Sequence, residues 1–142
     1  MKKAVLIIST ILLISCGNLI SQNLRSEYTQ KIVGTWKVDS LEIGSFNLSP
    51  QYEEIVRQKM PEIIAMTEVK FMSNKKYYKQ GFEGTTEGHW DISKDGQYII
   101  VKSDGSSEVS RTKIISLTND KLIMAPDDEN SVNSKAYLYK VQ

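Results

Sequence analysis

"KIVGTWKVDS" at Lys31–Ser40 and "EGHWDISKDG" at Glu87–Gly96 share one local design. Each places Gly-x-Trp at the opening of an apparent β-strand, and the chain's two tryptophans, Trp36 and Trp90, both stand in this setting. Working outward from the first, Trp36 and Val38 share one face of a strand over Thr35–Ile43, while Leu41 and Ile43 fall on the opposite phase. Strand side chains alternate with period 2, so the slip predicts a bulge or bend near Asp39–Ser40. A strongly bent first strand suits a sheet that closes on itself. Around the second, Gly88, Trp90 and Ile92 share a face read as inward, and His89 and Asp91 take the outward one.

The remaining chain after Glu68 reads as strands and tight turns. "TEVKFM" (Thr67–Met72) alternates, with Thr67, Val69 and Phe71 on one side. "YYKQGF", "YIIVKS", "EVSRTKIISL", "KLIMAP" and "KAYLYKV" follow, divided by "SNKK", "KDG", "DGSS", "TND" and the polar loop "DDENSVNS". Asp95-Gly96 tolerates the positive φ that a two-residue hairpin turn requires. Between the first and second strands the period changes. In Ser49–Thr67, Tyr52, Ile55, Val56, Met60, Ile63 and Ile64 recur at spacings of three and four, an apolar stripe expected to face protein. Ser49 suits an N-cap and Pro50 the first helical position, and Pro61 predicts a kink or a second helix. With about eight strands and short connections, the expected fold class is all-β: an antiparallel up-and-down barrel with a kinked helical insertion between strands 1 and 2, because closure removes both sheet edges. A sandwich is the alternative.

The 142 residues make one domain preceded by a targeting segment. Lys2 and Lys3 form a basic start, and Ala4–Ile14 is a predominantly apolar run, short of the roughly 20 residues that span a bilayer but suited to a signal peptide. "LISC" at Leu13–Cys16 resembles a bacterial lipobox, which implies cleavage before Cys16 and lipid on its sulfur. Cys16 is the only cysteine, so it has no disulfide partner within the chain, and an unpaired exported thiol is otherwise unexplained. The rival is ordinary secretion with a cut after Ser21. The division expected is a signal peptide at 1–15, a tether at 16–27 and a barrel domain at 28–142, entered through one helical turn around Tyr28, Ile32 and Val33. The location expected is the cell envelope, as an outer-membrane or periplasmic lipoprotein. Loss of Lys2 and Lys3 with the leader moves the formal charge from +1 to −1, which is no footprint for nucleic acid. Membrane association, if present, is expected through acyl chains alone.

"IVGTWKV", with a short helical turn before it, resembles the lipocalin signature. Together with the helical insertion, "GHWDISKDGQYIIV", "IISLTNDKLIM" and "AYLYKV", it resembles the small lipocalin-like domains of bacterial lipoproteins over essentially the whole mature chain. That resemblance implies an inward Trp36 plugging the closed end, with a basic side chain of the last strand, Lys140 or Lys135, lying across it. It also implies that the loop after the first strand covers an open mouth, which makes Ile55 and Met60 lid candidates. The lipocalins' long helix after the last strand has no counterpart here, and "LTND" at Leu117–Asp120 echoes their second signature no better than it matches a plain hairpin turn.

Catalytic constellations are not legible. His89 is the only histidine and lies on an outward face, and no cysteine follows Cys16. The run Asp127–Asn130 lacks the glycine and spacing of a calcium loop and reads as a solvated turn. No cofactor, no metal and no enzymatic activity are expected. The aromatics remain: Trp36, Trp90, Phe71, Tyr78, Phe82, Tyr98, Tyr137 and Tyr139 are candidate cavity residues. A barrel of this size is either filled by its side chains or holds one small ligand. The first expectation is therefore an exported, lipid-anchored binder of a small apolar molecule. The second is a filled barrel acting as an envelope interaction or inhibitor module.

Overall fold

The computed structural model describes residues 20–44, 49–127 and 133–142. The leader, Cys16 and most of the acidic run Asp127–Asn130 lie outside the described residues. Helix α1 covers 20–32 and leads into β1 (Gly34–Glu42). Helix α2 (Pro50–Met66) follows, then β2 (Glu68–Phe71), β3 (Lys76–Gly81), β4 (Gly84–Ile92), β5 (Tyr98–Ser103), β6 (Val109–Leu117), β7 (Lys121–Pro126) and β8 (Lys135–Val141). Among the described residues no helix is long and apolar enough to cross a membrane.

The strands close into one antiparallel barrel in sequence order, with β8 returning to pair with β1. This excludes the sandwich. The register slip between Val38 and Ser40 stands where the broken alternation of the first strand requires it, and it returns Leu41 to the interior face. A second slip separates Ile114 from Ser116 on β6. The core consists of inward residues from the strands together with Ile32 of α1; Trp36, Trp90, Ile92 and Leu122 are almost wholly removed from water.

Three local expectations change. First, residues 20–27, read as part of a tether, belong to α1. They fold because Leu24 and Arg25 have the barrel end to pack on: a Cβ on Gly96 would lie 2.9 Å from Leu24 Cγ. Second, of the two readings of Pro61 the separate second helix does not form: α2 runs through Pro61 as one helix. The carbonyl of Arg57, which loses its partner there, belongs to an exposed turn that water can solvate. Third, the β4–β5 connection is longer than a two-residue turn. Only Gly96 has positive φ (+74°), its amide bonds to Ser93 O at 2.9 Å, and the Ser93 amide bonds to Tyr98 O. At the start of α2, Ser49 is extended and caps with its carbonyl, which accepts from the amides of Tyr52 and Glu53, and its side chain makes no cap bond.

Candidate functional site

Antiparallel order sets the two ends of the barrel apart. The start of β1 and the end of β4 lie at the same end, so Trp36 and Trp90 both stand there although they are far apart in sequence. Both point inward. Trp36 Nε1 donates to Ile32 O at 2.7 Å, and Trp90 Nε1 donates to Met72 O at 3.0 Å. A lysine lies over each ring: Lys140 Nζ is 4.9 Å from the Trp36 centroid and Lys75 Nζ 4.2 Å from that of Trp90. The expected last-strand cation is thus Lys140, while Lys135 approaches Glu42 at 4.0 Å.

Helix α1 lies across this end and closes it. Ile32 is fully buried, and Tyr28 and Val33 pack on the core. Lys140 Nζ donates to Lys31 O and Val33 O at 2.6 and 2.9 Å, filling carbonyls that the helix end leaves without amide partners. Burial pulls the Lys140 ammonium below its ordinary pKa. Arg25 donates through Nε to Ile92 O and through Nη2 to Asp91 Oδ2, and Lys75 takes Asp91 Oδ1 at 2.9 Å. Partial burial raises the Asp91 carboxyl, but the Lys75 hydrogen bond, the Ile92 amide and the Lys75 and Arg25 charges outweigh it and hold the group below the usual carboxylate range.

The glycine of each Gly-x-Trp has a steric purpose. A Cβ on Gly88 would lie 2.2 Å from Lys102 O and 2.8 Å from Ser103 Cα, so β5 passes where a side chain would stand. At Gly34 (φ +143°) the space goes to the Lys140 stem, 3.2 Å from the virtual Cβ.

Above the Phe71 layer the barrel is hollow. Inward side chains from all eight strands, with Ile63 and Thr67 at the end of α2, enclose a cavity of about 510 Å³. Its deeper wall is apolar: Val38, Val69, Phe71, Ile99, Val101 and Leu138. Phe71 meets Trp90 edge-on and Tyr77 at a tilt, each with centroids 5.6 Å apart, so the two-ring floor continues into the cavity wall. Burial pushes the Tyr77 hydroxyl up to about 12. Around the mouth, β3 to β6 carry Lys79, Thr86, Ser103, Ser110 and Thr112, while β1, β7 and β8 carry Leu41, Met124 and Ala136. Two further hollows adjoin this mouth. One of about 500 Å³ lies between α2 and β1, lined by Leu41, Val56, Arg57 and Met60. The other, of about 470 Å³, lies at the rim formed by β1 and β6–β8 and shares Leu41, Ser110, Thr112, Met124 and Ala136 with the cavity.

Of the candidate cavity residues, Phe71 lines the cavity, while Trp36 and Trp90 form the sealed floor beneath it. Strand alternation turns Tyr78, Tyr98, Tyr137 and Tyr139 outward, because Tyr77, Ile99, Ala136 and Leu138 hold the inward positions beside them. Tyr98 instead stacks beneath Arg111, and Tyr137 bonds Glu42 Oε1 at 2.8 Å; that hydrogen bond raises its hydroxyl pKa. Phe82 is exposed in the β3–β4 turn. The apolar stripe of α2 does not face protein along its length. Tyr52 and Ile55 are 64% and 56% exposed, so Ile55 is no lid contact; Met60 lines the adjoining hollow, and Ile63 alone of the stripe lines the cavity. Sequence reading did not separate Tyr77, the inward member of its pair, from Tyr78, and it missed the hydroxyl-bearing residues of the mouth. The alternation of "EVKF" against "KYYKQ" carries the signal for the former. His89 lies outward as expected, 3.6 Å from Asp104. "LTND" is a hairpin turn, with Thr118 N bonded to Lys121 O.

A sequence profile described as a lipocalin-like domain matches residues 32–124. Among solved structures, a DUF4847 family protein from Bacteroides vulgatus superposes with a TM-score of 0.50 at 14% identity, over 77% of this chain and 92% of that one. A lipocalin-like protein from Bacteroides uniformis superposes with a TM-score of 0.52 at 10% identity, over 78% and 99%. At these identities the likeness concerns the fold alone. Comparison with curated proteins gives no match.

Proposed function

Because the chain belongs to the lipocalin-like domain family, we propose that it is a non-enzymatic binding protein whose barrel takes up one small, largely apolar molecule. The observation that carries this reading is the cavity of about 510 Å³ between the Phe71 layer and α2. That volume is in the range of small-molecule sites, roughly 300–1,000 Å³. A barrel plugged by its own side chains keeps voids no larger than a few tens of Å³, enough for water only, so the volume weighs against the filled-barrel alternative. Removal of apolar ligand surface from water drives binding, at about 25 cal/mol per Å² before ordering costs.

The reading extends to location. Export by the leader and lipidation of Cys16 would hold the barrel at the cell envelope by acyl chains, with residues 16–19 before α1 as the linker. Intact mass of protein purified from membranes of a bacterial host should show the lipid adduct, and Cys16→Ser should release the protein to the soluble fraction. An unmodified thiol on membrane-bound protein would remove this part of the reading.

The cavity is tested with the neutral apolar dye N-phenyl-1-naphthylamine. Saturable fluorescence enhancement is expected. Ala136→Leu, which adds volume to the cavity wall, should weaken it with the circular dichroism spectrum retained. An unchanged dye affinity in that folded variant would refute occupancy of the barrel. Bound molecules extracted after prolonged incubation should be chemically unaltered, and product formation would overturn the non-enzymatic reading.

A further inference from the structure

The mature chain is close to neutral, but its charge is unevenly spread along the barrel. At the end closed by α1, the β2–β3 turn and the start of β3 bring Lys75 and Lys76, with no acid between Phe71 and Tyr77. The β4–β5 turn adds Lys94 and the start of β7 adds Lys121, beside Arg25, Lys31 and Lys140. Together they outnumber Glu27, Asp91, Asp95 and Asp120, even with a carboxylate at Gln142 counted. The mouth end has the opposite balance. Helix α2 carries Glu53, Glu54 and Glu62 against Arg57 and Lys59, Glu83 stands beside Lys79, and the β5–β6 turn carries Asp104 and Glu108 without a lysine or arginine. The basic end also holds a polar hollow of about 500 Å³ beside α1. There Arg25 and Lys75 share one carboxylate, Asp91, each at 2.9 Å, with Ser26 and Thr29 alongside and no other acid in the lining. Ile20, at the start of α1, is 69% exposed.

Two observations say what covers this end. Its charge is complementary to an anionic surface, and the chain outside the described residues ends beside one. Cys16 stands four residues before Ile20, so a lipidated Cys16 lies within about 14 Å of the start of α1. Surface fields persist over about 10 Å at 0.1 M salt, so the α1 end stays within the field of the bilayer that holds the anchor. We propose that the α1 end of the barrel docks on an anionic phospholipid surface. Arg25 and Lys75 offer donors to headgroup phosphate, Lys76, Lys94 and Lys121 add attraction, and Ile20 enters the interface. The mouth is then turned away from the bilayer, and guests enter from the aqueous side. This rests on the lipid-anchor reading above for its geometry, and adds an electrostatic contact and an orientation to it.

Lys76, Lys94 and Lys121 make no side-chain hydrogen bond or ion pair among the described residues, so neutralising them leaves the fold intact. The test uses the acyl-free Cys16→Ser protein with vesicles of equal parts phosphatidylglycerol and phosphatidylcholine, and phosphatidylcholine vesicles as the neutral reference. Each unbalanced cation near such a surface contributes about a fivefold factor, so co-sedimentation at low salt should favour the anionic vesicles by about a hundredfold. High salt should abolish the preference. Lys76→Gln, Lys94→Gln and Lys121→Gln combined should remove it as well. The same charge taken from the rest of the barrel, in Lys59→Gln, Lys102→Gln and Lys135→Gln combined, should leave it nearly unchanged. Equal affinity for the two vesicles, or equal losses in the two triple variants, would overturn the proposal. Orientation is read with the acylated protein in the anionic vesicles, where lipid blocks Cys16 and an introduced cysteine takes the label. A fluorophore on Asn119→Cys, in the β6–β7 turn, should be quenched several-fold more by a headgroup-nitroxide lipid than one on Ser107→Cys, in the β5–β6 turn. Equal quenching would overturn the orientation. The two readings fail separately: a lipid adduct on Cys16 without anionic preference removes the docking alone, and anionic preference without an adduct removes the anchor alone.

Discussion

Gly88→Ala and Gly81→Ala are the same chemical change on adjoining strands, and the structure assigns them opposite outcomes. A methyl at Gly88 would stand 2.2 Å from Lys102 O, 2.8 Å from Ser103 Cα and 3.0 Å from Lys102 C, all backbone atoms of β5. Backbone cannot rotate away as a side chain can, so β5 must retreat by about an ångström to restore ordinary contact. That retreat loosens the Gly88↔Ser103 pairing and the Asp104 N–Glu87 O bond of 2.8 Å beside it. Overpacking of this kind costs about 1–3 kcal/mol, and one weakened ladder bond adds about 1 kcal/mol. The expected destabilisation is about 3 kcal/mol, which for a domain of this size lowers Tm by roughly 9–15 °C. At Gly81 the same methyl would meet only Thr67 Oγ1 at 3.8 Å and Lys79 Cε at 3.9 Å, without positive φ. There the loss of unfolded-state freedom dominates, and stability should rise by up to about 1 kcal/mol. Urea titrations followed by tryptophan fluorescence and circular dichroism measure both. Equal midpoints for the two variants, or a Gly88→Ala shift below about 0.5 kcal/mol, would refute the idea that the glycine before Trp90 exists to admit β5.

Three further outcomes follow from the charged and titrating groups. Tyr77 keeps its proton in the folded protein to about 12 while the unfolded chain ionises near 10.0, so stability should fall as pH rises from 10.0 toward 12. Tyr77→Phe should remove a loss on the order of 2 kcal/mol at the upper end, measured as urea midpoint against pH. Asp91 has its pKa lowered on folding, so its contribution is present above the unfolded value and lost as pH falls through the folded one; Asp91→Asn should flatten the acid limb of the stability profile. Lys140→Met keeps the stem beside Gly34 but removes the ammonium from Lys31 O and Val33 O, so amide exchange across 20–32 should accelerate several-fold, on the order of 1 kcal/mol of local opening. Unchanged exchange there would show that the Lys140 ammonium does not hold α1.

Repeat strand patterns with short connections already specified the barrel. The alternation of Val69 and Phe71, of Gly88, Trp90 and Ile92, and the phase slip after Val38 each have a single consistent sheet placement, because a one-residue shift would turn every apolar side chain to water. Gly-x-Trp also carried its own explanation: indoles inward, glycines where another group passes. The candidate cavity residues were less legible. Runs such as "KYYKQ" and "KAYLYK" hold aromatics at adjacent positions, and composition does not say which member of Tyr77–Tyr78 or Tyr137–Leu138–Tyr139 turns inward. Register with β2, β7 and β1 decides that, and it placed Tyr78, Tyr137 and Tyr139 outside.

By itself, then, the order of residues determined an eight-stranded closed sheet, its inward tryptophans, its bulge and its inserted helix, because period-2 alternation and turn chemistry are local properties. Only the tertiary structure decided that residues 20–32 form the stopper, that Lys140 and Lys75 each cover an indole, and that the barrel above Phe71 is hollow. Those features arise from groups distant in sequence meeting at one end of the barrel. The volume they leave depends on how the inward side chains of all eight strands fit together, which no segment specifies alone.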